Sequence, residues 1–93
     1  MDSEKYRLQV WYTGRVQGVG FRYKAVNVAS GYDVAGTVRN LEDGRVHLTA
    51  AGEKSEVRAF ADKLSEVMAD FIRKTEERED LGFFRYKGFS IEL

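Results

Sequence analysis

The sequence predicts an α+β fold in which two helices cover one face of a mainly antiparallel sheet. Several short runs alternate apolar and polar residues, which is the period of a strand with one buried face. Two other segments repeat apolar residues at the three- and four-residue spacing of an amphipathic helix. Between two of the alternating runs Asp43 is followed by Gly44, a strong signal for an antiparallel hairpin.

Length and composition indicate one small globular domain. A chain of 93 residues buries about 64% of the surface that its unfolded form exposes, which supports a single core. Hydrophobic residues make up 43% and charged residues 32% of the chain, so the composition argues against intrinsic disorder. We therefore predict one domain over residues 1–93, in which residues 1–5 form a frayed N-terminus.

The first strand and the first helix flank a glycine-rich segment. Residues 6–13 alternate between apolar and polar side chains and predict a strand. The sequence GRVQGVG at 14–20 holds three glycines and predicts a loop. From Phe21 onward apolar residues recur at helical spacing until Ser30 and Gly31, which predicts a helix over 21–30.

A hairpin and a second helix follow. The runs over 34–38 and 46–50 alternate on either side of the Asp-Gly turn and predict two antiparallel strands. After Gly52 comes the clearest amphipathic pattern of the chain. Its predicted buried stripe consists of Val57, Phe60, Ala61, Leu64, Val67 and Met68.

The C-terminal third predicts two more strands. One opens at Phe71 and Ile72, and its mixed charges over 74–80 are typical of a solvated edge strand. The other alternates through the last apolar residues, Phe89, Ile91 and Leu93. The order is βαββαβ with one additional C-terminal strand, and two helices can cover only one face of such a sheet. The sequence therefore predicts a ferredoxin-like βαββαβ sandwich.

Composition also excludes several classes of function. The chain has no cysteine, which rules out thiolate nucleophiles and cysteine-bound metals, and its single histidine rules out a multi-histidine metal site. Fifteen basic residues balance fifteen acidic ones, so the basic field typical of nonspecific nucleic-acid binding is missing. No apolar run is long enough to cross a bilayer, and no apolar stretch follows the N-terminal charges. We expect a cytoplasmic protein that binds neither nucleic acid nor membranes.

The segment GRVQGVGFR at 14–22 is the strongest candidate for chemistry. A glycine-rich turn between a strand and a helix can aim several backbone N–H groups at one anion, beside the positive end of the helix dipole. Arg22 follows within the first helical turn, and its planar guanidinium suits a phosphoryl group. From the residues alone, the alternative is a loop that only turns the chain and leaves Arg22 in solvent.

Better-known nucleotide-binding loops do not fit this segment. The mononucleotide loop ends in Gly-Lys followed by Ser or Thr, and the segment has no lysine. The dinucleotide fingerprint needs a glycine where Tyr23 stands. The string GVGFRY is similar to an aromatic motif of RNA-recognition modules, but that motif lies in a central strand, whereas this string enters a helix.

Two segments together resemble the signature of the acylphosphatase family. The first is GRVQGVGFR, and the second is Asn40 within GTVRNLEDGRV at 36–46, eighteen residues beyond Arg22. The similarity extends over nearly the whole chain, with departures from common family residues at Thr37 and Leu41.

The resemblance implies an enzyme that hydrolyses acyl phosphates to a carboxylate and inorganic phosphate, without a metal, a cofactor or a covalent intermediate. It implies that Asn40 positions the attacking water and that the Arg22 guanidinium binds the phosphoryl group. We further expect a small-molecule acyl phosphate as substrate, inorganic phosphate as product and competitive inhibitor, and a monomeric protein. The resemblance also implies a phosphate-binding loop whose backbone holds the phosphoryl oxygens, formed by Gln17, Gly18, Val19, Gly20, Phe21 and Arg22.

The implied chemistry suits these residue types. An acyl phosphate already carries a good leaving group, so its hydrolysis needs mainly charge neutralisation and one oriented water. A neutral amide cannot take up a proton, so Asn40 can orient water but cannot act as its base; the proton goes to the substrate phosphate. Taken alone, Asn40 is also typical of a turn residue ahead of the hairpin. A noncatalytic phosphate-sensing or protein-interaction module with the same fold is the alternative function.

Two further residues receive structural interpretations. Trp11 lies on the polar side of the first strand, and we predict that it packs on the sheet, with a place at the substrate entrance as the alternative. His47 alternates with apolar neighbours and is predicted to be an exposed strand residue rather than a catalytic base.

Overall fold

The computed structural model describes residues 4–93 as one five-stranded sheet and two helices. Across the sheet the strands run β4-β1-β3-β2-β5, and all neighbours are antiparallel except β2 and β5. In chain order the elements are β1 (Lys5–Gly14), α1 (Phe21–Ala29), β2 (Val34–Asn40), β3 (Val46–Gly52), α2 (Lys54–Val67), β4 (Ile72–Gly82) and β5 (Phe89–Ile91). This is the predicted ferredoxin-like arrangement, with the additional strand beside β2.

One face of the sheet carries the core, and both helices pack on that face. The alternating apolar side chains of β1, from Tyr6 to Tyr12, are buried in one cluster with side chains of α1 and α2. The stripe of α2 is buried as predicted except for Val67, which is 39% exposed. Ten residues after Val57, Val67 lies about 80° around the helix from it, at the margin of the stripe. Met68, the residue directly after α2, is buried in the core as predicted.

The ends of the chain differ from the prediction at two residues. Lys5, expected in a frayed N-terminus, is the first residue of β1 and pairs with Gly82; residues 1–3 of that segment lie outside the described residues. Leu93 was expected in the last strand, but β5 ends at Ile91 and Leu93 is fully exposed. Pairing of β5 with β2 stops opposite Val38, and the last backbone hydrogen bond between the two segments runs from the N–H of Glu92 to the carbonyl of Val38 at 2.9 Å, so Leu93 lies beyond the paired residues.

The topology brings two distant segments to one edge of the sheet. Tyr12 near the end of β1 and Asn40 at the end of β2 both lie opposite Val46, the first residue of β3. The loop that follows β1 and the end of β2 therefore share this edge, although eighteen residues separate Arg22 from Asn40. Neither helix within residues 4–93 is long and apolar enough to cross a membrane.

Candidate functional site

Gly14 fixes the point at which the glycine-rich loop leaves the sheet. The pairing of β1 with β4 shifts register between Thr13 and Gly14, and Gly14 has a φ of 141°. A Cβ at this position would lie 2.3 Å from the carbonyl oxygen of Phe71. The next amide, the N–H of Arg15, donates to that same oxygen at 2.9 Å. The start of the loop is therefore anchored to the chain just before β4, and only glycine permits so close an approach.

Gly20 ends the loop and begins α1. It is the N-cap of the helix in the left-handed region, at a φ of 79°, and its carbonyl accepts from the N–H of Lys24 at 2.9 Å. No side chain caps this terminus, and the first turn holds no acidic residue. Over the described part of the chain, the amides from Gln17 to Tyr23 donate to no protein acceptor. Unpaired donors beside a positive helix terminus are the features of an anion-binding loop.

The side chain of Gln17 ties the loop to the hairpin between β2 and β3. Its Nε2 donates to the carbonyl oxygen of Leu41 at 2.8 Å and to that of Arg45 at 3.0 Å. The same Arg45 oxygen accepts from the N–H of Leu41 at 2.8 Å, which closes the hairpin connection. One amide group thus holds the loop in register with the residues that directly follow Asn40.

A pocket of about 110 Å³ opens between the loop and the end of β2. It brings together Arg22 and Asn40, the two residues that the family resemblance assigns to phosphate and to water. Of the expected loop residues, Gln17 and Val19 do not line it. The lining consists of Val16, Gly18, Gly20, Phe21, Arg22, Tyr23 and Asn40.

Asn40 is the last residue of β2 and pairs with Val46, so it belongs to the strand and not to the turn beyond it. Its side-chain Oδ1 is buried and accepts no hydrogen bond from any described residue. Buried polar atoms in folded proteins almost always have a partner. An unpaired acceptor in the wall of a pocket is therefore suited to a donor that enters the pocket, such as a water molecule.

Two lining residues were missed in the sequence. Val16 is fully buried and forms the base of the loop. Tyr23 is 75% exposed and lies at the rim. The available signal for Tyr23 is its place next to Arg22 in the first helical turn.

Trp11 and His47 lie outside the pocket, on the sheet face that the helices leave open. Their rings stack with centroids 4.7 Å apart, and the Nε2 of His47 hydrogen-bonds the Oε1 of Gln9 at 3.0 Å. Trp11 therefore packs on the sheet as predicted. His47 is on the predicted face but half-buried, because the indole partly covers it. Burial, followed by the nearby Arg39 charge, lowers the pKa of His47 below its usual value.

Within residues 4–93 the structure brings together no group of three or more His, Asp or Glu side chains that could hold a metal ion. Neither the pocket nor the open face is therefore a candidate metal centre.

Comparisons with known proteins extend over nearly the whole chain. A family profile described as Acylphosphatase matches residues 8–91. An acylphosphatase of Trichormus variabilis is 41% identical over 91 residues, which cover 92% of this chain and 90% of that protein. The crystal structure of acylphosphatase from Bacillus subtilis matches with a TM-score of 0.80 at 30% identity, covering 98% of this chain and 100% of that one.

One match is to part of a much larger protein. Full-length HypF, in its phosphate- and nucleotide-bound form, matches with a TM-score of 0.76 and 26% identity, over 99% of this chain but only 12% of HypF. The sequence matches and the structural matches point to the same family, and the chain accordingly belongs to the acylphosphatase family of hydrolases.

Proposed function

We propose that this chain hydrolyses the carboxyl–phosphate bond of small acyl phosphates in the pocket between its glycine-rich loop and Asn40. One observation carries the proposal: a single pocket is lined by Arg22, by loop residues whose backbone amides have no acceptor, and by Asn40, whose buried Oδ1 has no partner. The guanidinium and the donors suit the phosphoryl oxygens, and the amide oxygen suits a water molecule. Membership of the family supports the same reaction.

In this reaction the Arg22 guanidinium and the backbone N–H groups of residues 17–22 bind the phosphoryl oxygens. The Oδ1 of Asn40 accepts a hydrogen bond from a water molecule and so directs the lone pair of the water oxygen at phosphorus. A new P–O bond forms as the bond to the acyl oxygen breaks, and the carboxylate leaves with that electron pair. The water proton passes to a phosphoryl oxygen, because an amide cannot accept it. The products are a carboxylate and inorganic phosphate.

The loop contributes by being held in position before the substrate arrives. Its start is anchored at Phe71, and its middle is anchored to the hairpin through Gln17. Donors fixed in advance need no reorganisation during the reaction. Removal of one such donor typically lowers kcat by about 10²–10³.

The size of the pocket supports a small substrate. Sites for drug-sized ligands and cofactors enclose roughly 300–1,000 Å³, whereas this pocket measures about 110 Å³. It suits a phosphoryl group whose remaining substituent projects into solvent, and it is too small to enclose a nucleotide.

The proposal is tested by incubating the protein with benzoyl phosphate and following the loss of ultraviolet absorbance. We expect hydrolysis well above the spontaneous rate, competitive inhibition by inorganic phosphate and full activity in the presence of a chelator. The rate should change little between about pH 5.5 and 7.5, because a guanidinium stays charged and an amide does not ionise in this range. Binding of phosphate with no hydrolysis above the spontaneous rate would instead indicate a noncatalytic phosphate-binding module.

A further inference from the structure

The walls of the pocket differ in exposure from its floor to its rim. Val16 and Phe21 are buried, and Arg22 and Asn40 are half-buried. The exposed lining residues are two glycines and Tyr23. The only exposed side chain at the rim is therefore a phenol ring.

This rim is where the acyl part of a substrate must lie. If the phosphoryl group binds to the loop amides and Arg22, the acyl substituent has to project outward, because the buried side chains of Val16 and Phe21 fill the interior. A Cβ built on Gly18 or Gly20 meets nothing within 4 Å, so the loop side of the opening is unobstructed. The exposed residues that an outgoing acyl group can meet in the pocket lining are therefore Gly18, Gly20 and Tyr23, of which only Tyr23 has a side chain.

The ring of Tyr23 is available for such a contact. It is 75% exposed. Across residues 4–93 it takes part in no aromatic pair, and its hydroxyl makes no side-chain hydrogen bond. Aromatic side chains are among the residues that most often line ligand pockets. The pocket lining includes no charged side chain other than Arg22.

We propose that Tyr23 is a specificity-determining residue that contacts the acyl group and favours acyl phosphates with an uncharged aromatic or bulky apolar acyl group over acetyl phosphate. This inference rests on the proposed function, since it concerns the same pocket. The ring supplies a flat apolar surface beside the scissile bond, on which a planar acyl group stacks. Acetyl is too small to cover the ring. An anionic acyl group would find no cation in the pocket lining other than Arg22, which binds the phosphoryl group, and a cationic acyl group would find no carboxylate there.

The test compares benzoyl phosphate with acetyl phosphate in the parent protein, Tyr23→Ala and Tyr23→Phe. We expect the ratio of the two kcat/KM values, benzoyl over acetyl, to fall about fivefold in Tyr23→Ala, the order expected for one aromatic stacking contact. The ratio should stay within about twofold of the parent in Tyr23→Phe, which keeps the ring. Inhibition by inorganic phosphate should be unchanged in both variants, because phosphate lacks an acyl group.

Phe83→Ala is the matched control. Phe83 is also an aromatic residue, 67% exposed, but it follows β4, which ends opposite the first residue of β1, at the end of the sheet away from the pocket. It should leave the ratio unchanged. If the parent hydrolyses both substrates and Tyr23→Ala keeps the same ratio, or if Phe83→Ala lowers it equally, Tyr23 does not contact the acyl group. If the parent hydrolyses neither substrate, the proposed function itself is wrong, and this inference is wrong with it.

Discussion

Polar side chains lie both in the pocket and on the open face of the sheet, but they differ in whether their hydrogen-bonding atoms have partners within the protein. In the pocket, the Oδ1 of Asn40 is buried and has no partner among the described residues. On the open face, His47 stacks on Trp11, hydrogen-bonds Gln9 through Nε2, and accepts a long hydrogen bond of 3.4 Å from the Nε of Arg39 through Nδ1. Histidine is the more common catalytic residue, yet both ring nitrogens of His47 have hydrogen-bond partners within the protein. The Oδ1 of Asn40 has none among the described residues.

The difference shows that an unpaired polar atom in a pocket indicates a site better than residue type does. A place in the pocket is part of this criterion, because the buried Tyr12 hydroxyl also has no partner but does not line the pocket. A polar group that finds its partners within the fold contributes to stability and has little capacity left for a ligand. A buried acceptor left unpaired costs stability, typically about 1–3 kcal/mol, and is retained where a ligand supplies the missing donor. The following variants test whether the two regions divide in this way.

The largest expected effect is at Arg22. Arg22→Ala should lower kcat/KM by at least about 1,000-fold, because it removes the guanidinium whose positive charge stabilises the negative phosphoryl oxygens. Arg22→Lys should do nearly the same, since a point-charge ammonium cannot bind two oxygens in a fixed fork. Benzoyl phosphate hydrolysis measures the activity. Phosphate inhibition should be lost together with turnover.

Arg15→Ala is the matched control for charge. Arg15 lies in the same loop but is exposed and does not line the pocket. Its loss should change activity by less than about threefold, since an exposed charge contributes little. Full activity of Arg22→Lys would show that Arg22 is not the phosphate ligand.

Asn40→Ala should lower kcat about 100-fold while KM and phosphate inhibition stay within a few-fold of the parent, because the lost contact orients water in the transition state. The free energy of unfolding should stay the same or rise, since the substitution removes a buried acceptor that has no partner. Asn27→Ala, at the exposed surface of α1 and the only other asparagine, is the control for both measurements. Loss of phosphate binding as complete as in Arg22→Ala would make Asn40 a phosphate ligand instead.

Gln17→Leu should reduce both stability and activity. It removes two hydrogen bonds that the structure does form, which costs roughly 1–2 kcal/mol in the free energy of unfolding. Activity should fall about tenfold, because the loop is then free to shift relative to Asn40. Gln9→Leu, the same change on the open face, should leave activity unaffected. Thermal unfolding and benzoyl phosphate hydrolysis measure the two effects; equal activity losses in both variants would contradict a positioning role for Gln17.

The smallest expected effect on activity is at His47, where His47→Gln should leave kcat/KM within about twofold of the parent. Its effect lies in the pH dependence of stability. Because burial and Arg39 lower the folded-state pKa of His47, the neutral form is favoured in the folded protein. The contribution of neutral His47 to the free energy of unfolding is fully present above the pKa of histidine in the unfolded chain, about 6.5. It is lost as the pH falls through the lower pKa of His47 in the folded protein.

Thermal unfolding measured between pH 8 and pH 5 checks this sign. The parent should lose stability below about pH 6.5, and His47→Gln should lose less over the same interval. Asp43, Glu79 and Asp80 carry exposed carboxyls whose pKa values are lowered by hydrogen bonds that they accept from Arg45, Tyr6 and Arg7 respectively. Their effect on the pH dependence of stability falls at lower pH and should be unchanged in His47→Gln. An inflection in activity that disappears in His47→Gln would instead assign His47 a catalytic role.

The sequence predicted the elements well where a local pattern has a single structural solution. The alternation from Tyr6 to Tyr12 and the Asp-Gly turn led directly to β1 and to the hairpin of β2 and β3. Predictions were wrong where an element needs a distant partner to define its limit. Leu93 continues an apolar alternation, yet it lies outside β5 because β5 stops pairing with β2 opposite Val38. Val67 fits the helical spacing only at the margin of the stripe and is exposed.

The sequence by itself determined the glycine-rich loop, the helix that follows it and the chemical types of Arg22 and Asn40, since turn chemistry and periodicity are local properties of a chain. Only the tertiary structure decided that these two residues share one pocket, because the pairing of β3 with both β1 and β2 brings their ends to one edge. It also decided which polar groups stay unpaired. Whether a buried oxygen meets a donor depends on packing between distant segments, as in the bonds from Gln17 to Leu41 and Arg45, which no local pattern specifies.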